Sequence, residues 1–413
     1  MDMRVMFLLP LMTVAVCAVR GQPRLTLVSV AQDAATRRVT AEYELAEPAI
    51  VTLDVLTNGV SIGAANVTHA YGDVNRVVGA GAHRLHWQAE RSWPGFIFSD
   101  DTVAVEVTAW ATNAPPDYMV VDLVVNKGER TYYTAAEQLP DGGLKNDRYK
   151  TDYLVMRRIP AAGKTFRMGS PADEPGRRPN EILHYVTLTN DFYMSVFELT
   201  QGQYRNVVGE VNPQNTKYGF CATRPLDWLV YDRFRGVKKR WPRDGHAVDP
   251  GSSLGVFRSV LKLPTLDLPT EAEWEFACRA GTLSARYDGS EFPASVAEMA
   301  WLGEDRKCPH DVGMLKPNGW GLYDMYGNVD EYCLDYYAEG LAYGAVGSTV
   351  LAPRGPNSGM ERVIRGTGSW WSSKGDQARS AFRQSYTATG PWMCVGYRRV
   401  GVPEGLGVEM LRC

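Results

Sequence analysis

An α+β chain is predicted, with a small immunoglobulin-like β-sandwich followed by a larger domain in which strands mix with a few helices and much loop. Three observations predict it. Apolar residues alternate with period two in short runs between about Gln22 and Ala114, whereas well-signed helices begin only beyond Tyr153. Gly 40 and Pro 24, with aromatic residues at 11%, imply many turns around an aromatic-rich core. The 413 residues, 45% hydrophobic and 22% charged, suffice for two or three domains without disulfide staples. Lys plus Arg is 44 against 47 Asp plus Glu, so the net charge of -3 gives no global positive field, and nucleic acid is not an expected partner.

The chain opens on Arg4 followed by an apolar run from Val5 to Val19, broken only by Thr13, with small residues near Ala18. This predicts a secretory signal peptide over 1–21, and a secreted or periplasmic, cell-envelope location. The run is shorter than the roughly 20 residues a membrane span needs, and Pro10 interrupts it. No transmembrane span is expected. Cys17 would suit lipid attachment, but Val16 before it is bulkier than the small residue such processing prefers.

The sandwich is placed over 22–114. Its strands are read from Leu25, Leu27 and Ser29; Val39, Ala41 and Tyr43; Ile50, Thr52 and Asp54; and Val103, Val105 and Val107. Asn58-Gly59, Gly72-Asp73 and Pro94-Gly95 supply the turns. His83 and His86 are three apart on one strand and so point to opposite faces, which argues against a shared metal. Asn66-Val67-Thr68 matches a glycosylation acceptor by pattern alone. Pro115-Pro116 ends the alternation, and 115–150 reads as a linker and lead-in to a second domain over 151–401, with a tail over 402–413.

In the second domain, Thr200-Gln201-Gly202-Gln203 and Thr270-Glu271-Ala272-Glu273 each start a helix, because a threonine can accept from the third backbone N–H while the third side chain reaches back. Trp274, Ala277 and Cys278 share a face of the later helix, and Gly281 stops it. The order of segments is more specific than either helix. Phe166-Arg167-Met168-Gly169-Ser170, Phe197-Glu198-Leu199-Thr200-Gln201, Leu268-Pro269-Thr270-Glu271-Ala272-Glu273-Trp274-Glu275, Gly321-Leu322-Tyr323-Asp324-Met325-Tyr326-Gly327-Asn328, Arg365-Gly366-Thr367-Gly368-Ser369-Trp370 and Gly396-Tyr397-Arg398 follow one another. Together they resemble the formylglycine-generating enzyme, or sulfatase-modifying factor, family from near Tyr153 to near Val400. The resemblance implies a fold similar to C-type lectins, with a mixed sheet, two helices and much loop.

It also implies an activity that the residues then call into question. Enzymes of that family oxidise a sulfatase cysteine to formylglycine with copper(I) held by two cysteine thiolates, soft ligands for a soft ion. The matching positions, two and seven residues past Trp370, are Ser372 and Gln377. The family's oxygen-pocket serine is kept as Ser369, but the pocket tryptophan is replaced by Asp330. No copper and no family-type catalytic residue are expected. Cys221, Cys278, Cys308, Cys333, Cys394 and Cys413 show no metal-ligand spacing, and in an exported chain an even count favours one or two disulfides. No Gly-x-Ser-x-Gly elbow, His-Glu-x-x-His or phosphate-cradling glycine loop occurs.

One metal site of the family has a counterpart. Its structural calcium takes oxygen ligands from the segment matching Asp324 to Glu331, which the resemblance maps onto Asp324, Gly327, Val329 and Glu331. The function expected is therefore an exported, non-oxidase binding module whose lectin-like groove takes a peptide, protein or glycan ligand through Trp370, Trp371, Lys374, Trp392 and Met393. Flat apolar faces stack while neighbouring polar groups orient the ligand. The alternatives are a copper-dependent formylglycine-generating oxidase with departed ligands, and a structural part of an envelope or secretion assembly.

Overall fold

The computed structural model describes residues 7–8, 23–95, 103–209, 219–227, 230–290, 293–302, 309–339, 345–368, 375–389, 395–396 and 400–401. Among them the chain forms two compact units, one running through Val120 and including Arg130–Asn146, the other made of Val121–Glu129 and the chain from Asp147 onward. No helix among the described residues is long and apolar enough to cross a membrane.

In the first unit two sheets share one apolar core. Strands Leu25–Gln32, Arg38–Leu45, Gly81–Gln88 and Ala70–Gly72 are neighbours in that order, and Phe7–Leu8 pairs with Ala31 and Gln32 at the outer edge. In the other sheet Ala49–Thr57 pairs with Val103–Trp110 along its length, and with Val60–Ser61 and Val77–Val78 at its ends. Asn58 and Gly59 both have positive φ, 51° and 76°, as a two-residue hairpin with the sheet's own twist requires. The core joins Val39, Ala41, Tyr43, Leu85 and Trp87 to Val51, Leu53, Val55, Val105 and Ala109. In the strand Ala49–Thr57, Ile50, Thr52 and Asp54 alternate as read, and Ala49, Val51, Leu53 and Val55 on the opposite face enter the core. Both faces of that central strand are largely buried, so hydrophobicity alone does not fix its phase.

The stretch 115–150 is folded, with strands Tyr118–Asp122 and Arg130–Tyr133, short 3-10 turns at Ala136–Gln138 and Gly143–Lys145, and a helical turn at Arg148–Thr151. His83 and His86 take separate partners, Asp73 and Thr40. At the glycosylation pattern, Asn66 Nδ2 donates to the Ile62 carbonyl at 2.7 Å.

The second unit is a mixed α+β body of small sheets. Tyr153–Ile159 pairs antiparallel with Phe192–Ser195, which pairs with Val400–Gly401. His184–Thr187 lies between Thr165–Met168, antiparallel, and Thr349–Leu351, parallel. Asp330–Tyr336 runs between Glu361–Arg365, antiparallel, and Val395–Gly396, parallel, and every one of its residues is buried. Helices Gln201–Val208 and Glu271–Arg279 both carry the expected capping boxes, from Thr200 with Gln203 and from Thr270 with Glu273. The later one ends on Ala280 in the left-handed region, one residue before Gly281. Helix Ser253–Leu261, capped by Ser252, was not foreseen; its start has a serine but no Glu or Gln to complete the box.

This unit buries charge as well as apolar surface. Arg365 pairs with Glu275 and Glu271, Arg383 with Glu271, Arg279 with Glu275, and Arg379 with Glu174 and Glu181. Trp274 packs in the same core and donates from Nε1 to Glu331 at 2.8 Å. Glu271, Trp274 and Glu275, spaced i, i+3 and i+4, share one face of the helix Glu271–Arg279, which gives the core both its indole and the carboxylates that meet Arg365 and Arg383. Such pairs survive desolvation only when most donors and acceptors are met.

Candidate functional site

The strand Glu361–Arg365 leads into Gly366, Thr367 and Gly368, and the chain returns at the short turn Gly375–Gln377. The two ends of this loop are held together, because Thr367 Oγ1 donates to the Gln377 carbonyl at 2.8 Å. Arginines brace the returning end. Arg286 Nη2 donates to the Gly375 carbonyl at 2.8 Å and Arg379 Nε to the Asp376 carbonyl at 2.7 Å. Arg286 is buried, and its Nε and Nη1 have no hydrogen-bond partner among the described residues.

Asp330 sits at the leaving end. Its Oδ1 accepts from Gly368 N at 2.7 Å, and the approach is so close that a Cβ on Gly368 would lie 2.8 Å from Asp330 N. Burial pushes its carboxyl up to about 7, opposed by the Gly368 N–H and reinforced by the charge of Glu331. Where the resemblance calls for an indole, the buried side chain is a carboxylic acid. Asp330 and Gln377 are therefore brought to the base of one loop, while Ser369, Trp370, Trp371, Ser372, Lys374, Trp392 and Met393 lie outside the described residues.

Asp324, Gly327, Val329 and Glu331 form the turn beside it. Gly327, with φ 77°, comes so close to Trp301 that a Cβ would meet its backbone at 2.5 Å, so only glycine fits. Gly327 N donates to the Gly366 carbonyl at 2.6 Å, tying the turn to the loop base. Glu198 locks the next two residues: it accepts from Asn328 Nδ2 at 2.7 Å and from Val329 N at 3.1 Å. The carboxylates expected to hold calcium both take protein donors, Gly313 N to Asp324 Oδ2 at 2.7 Å and Trp274 Nε1 to Glu331 Oε2 at 2.8 Å. No group of three or more His, Cys, Asp or Glu side chains that could hold a metal occurs among the described residues, so a cation here would depend on backbone carbonyls.

Sequence reasoning missed Glu198, although the motif Phe197 to Gln201 contains it; nothing local marks a glutamate whose partners lie 130 residues away. It also missed Asp227, a buried carboxyl whose Oδ1 has no hydrogen-bond partner among the described residues and which burial pushes up to about 7. His310 stacks on Trp301 with ring centroids 3.9 Å apart. Cys221, Cys278 and Cys333 are free thiols, so none of the three forms the expected disulfide. Cys278 and Cys333 are enclosed in the core of the second unit.

The second unit is thus a mixed α+β scaffold with little regular structure, in which buried arginines brace the base of one loop. The chain belongs to the family of the sulfatase-modifying factor enzyme 1-like domain, whose model matches residues 149–401. Over 241 residues it is 41% identical to the serine/threonine-protein kinase pkn1 of Chlamydia pneumoniae, which covers 57% of this chain and 36% of that one. Over 251 residues it is 33% identical to the formylglycine-generating enzyme of Mus musculus, covering 51% of this chain and 66% of the mouse protein. A formylglycine-generating enzyme of Thermomonospora curvata is 36% identical over 111 residues, 24% of this chain and 37% of its own. The chain thus spans little more than a third of the length of the first curated relatives it matches. Among solved structures, Treponema denticola variable protein 1 and PvdO from Pseudomonas aeruginosa each align at 22% identity with a TM-score of 0.49, covering 61% and 60% of this chain and 96% and 94% of theirs.

Proposed function

We propose that the second unit is a ligand-binding module of its family and does not oxidise cysteine. The observation that carries this reading is Asp330, a buried carboxyl bonded to Gly368 at the base of the loop, where the resemblance calls for an apolar oxygen pocket. Gln377 supports it: an amide stands where a thiolate would be needed, and its backbone carbonyl is used to close the loop. Ser372, by sequence, occupies the other thiolate position. The ligand would lie against Trp370, Trp371, Lys374, Trp392 and Met393, a mixture of flat apolar faces and polar groups suited to a glycan or peptide. The kinase activity named for the chlamydial relatives is not carried over, because this chain has no glycine-rich phosphate loop.

The first unit is read as an immunoglobulin-like spacer. Its sheet order, Leu25–Gln32, Arg38–Leu45, Gly81–Gln88, Ala70–Gly72, follows the A-B-E-D order of such sandwiches. Export by the Met1 to Gly21 leader fits a module that meets ligands outside the cytoplasm. Calcium at Asp324 and Glu331 is a separate proposal. Chelation would lower the melting temperature of the second unit, and an unchanged melt with no calcium by elemental analysis removes it.

The deciding experiment is turnover of a Cys-x-Pro-x-Arg peptide by the copper(I)-treated full chain. No aldehyde is expected by mass spectrometry; copper-dependent formylglycine from the unmodified protein overturns the reading and restores the oxidase. Ser372→Cys with Gln377→Cys should recover copper binding without necessarily recovering turnover, since Asp330 still charges the pocket.

A further inference from the structure

The segment from Tyr231 to Pro250 folds around one buried guanidinium. Arg235 pairs with Asp267 at 3.0 Å and donates to the carbonyls of Lys239 at 3.2 Å and Gly245 at 2.9 Å. Carboxylates satisfy the rest of the turn. Asp249 Oδ2 accepts from Val237 N and Lys238 N, both at 2.7 Å, and Asp244 Oδ2 accepts from Arg240 N at 2.7 Å and from Arg243 Nη2 at 2.9 Å. Gly236, at φ 96°, lets Asp249 in; a Cβ there would lie 2.4 Å from it.

The acids of this segment are therefore directed at backbone N–H groups and at Arg240 and Arg243. Six Arg and Lys stand against three Asp between Tyr231 and Pro250, in a chain whose net charge is -3. Arg233, Lys238 and Lys239 are exposed and form no ion pair among the described residues. Arg354, also exposed, lies over the Trp241 ring at 4.3 Å and donates to the Pro242 carbonyl, adding its charge beside the turn. Val237, 51% exposed, stands next to the lysines.

We infer that this turn is a docking surface for an anionic phospholipid bilayer. Single-stranded nucleic acids and sugars are bound with stacking faces, but the indole here, Trp241, is buried at 2% exposure. A lipid surface asks only for clustered point charges and an apolar side chain at the headgroup boundary, which Lys238, Lys239, Arg233, Arg354 and Val237 provide. Because Arg235, Asp244 and Asp249 fix the backbone beforehand, docking orders little that is not already ordered. The inference does not depend on the groove's ligand.

The test is co-sedimentation of the full chain with vesicles of phosphatidylglycerol and phosphatidylcholine, against phosphatidylcholine alone, at low and physiological salt. Partition onto the anionic vesicles only, weakening with salt, is expected. Lys238→Gln with Lys239→Gln should lower it about 25-fold, roughly fivefold per lysine, with melting unchanged. Lys145→Gln with Lys164→Gln makes the same charge change elsewhere and should leave partition intact; an equal loss would mean that net charge, not this turn, is being read. Absence of partition overturns the inference. So does retention by a soluble oligonucleotide in place of vesicles, which would assign the turn to a phosphate polymer.

Discussion

The two units solve the problem of an interior differently. Among the described residues of the first, the buried side chains are apolar except for Thr52 and Gln138. In the second, Arg235, Arg286, Arg362, Arg365 and Arg379 are all under 2% exposed, and the acids that meet Arg235, Arg365 and Arg379 are enclosed too. An apolar sandwich core needs only the right period and volume, and tolerates exchange among similar side chains. An interior of ions must place each donor against an acceptor, because a charge left alone there is far costlier than a missing methyl group. The difference teaches where each unit is fragile.

Removing one partner from the ionic interior should give the largest effect. Arg379→Ala leaves Glu174 and Glu181 without their cation and is expected to cost about 3–5 kcal/mol in a denaturant titration. The matching apolar cut, Leu85→Ala in the first unit, should cost about 2–4 kcal/mol. Acid separates the two. The Arg379→Ala penalty should shrink as the stranded Glu174, whose carboxyl burial already raises, protonates, whereas that of Leu85→Ala stays level; parallel pH profiles would break the comparison.

Acid should also weaken the intact second unit through Asp267. Burial works to raise its carboxyl, but Arg235 and His246 overcome this and hold it at about 2, below the usual 3.8. A depressed carboxyl stabilises above its unfolded pKa, so about 2 kcal/mol should be lost as pH falls from about 4 towards 2. Asp267→Asn should flatten that limb in a melting series. The smallest expected effect is at a helix start: Thr270→Ala removes the acceptor for Glu273 N and should cost about 1 kcal/mol, at neutral pH, by the same titration.

What could be read from the sequence divides along the same line. The strands of the first unit follow from alternation, and Asn58-Gly59 announces its hairpin; which face of Ala49–Thr57 meets the core does not follow, because that strand is buried on both faces. In the second unit, alternation is a poor guide where Asp330–Tyr336 is buried throughout with Asp330, Glu331 and Asp335 inside it. There the ordered motifs did the work, marking the family, both capping boxes, and Asp330 and Gln377 at the loop. What motifs do not encode is pairing across long separations. Glu198 meeting Val329, and Arg379 meeting Glu181, join residues whose partners are set by the folded chain alone.

The enclosed thiols give the second unit a chemical clock. Burial pushes Cys278 up to about 11 and Cys333 well above its ordinary value, and it is the thiolate that attacks an alkylating reagent. While the interior stays closed, both should be silent towards iodoacetamide at pH 8. Each opening exposes them, so the rate of labelling follows how often that interior comes apart. Beyond Cys17 the chain has no cysteine before Cys221, so the sandwich contributes nothing to that signal. Opening of the ionic interior can be timed in the whole protein with no probe attached.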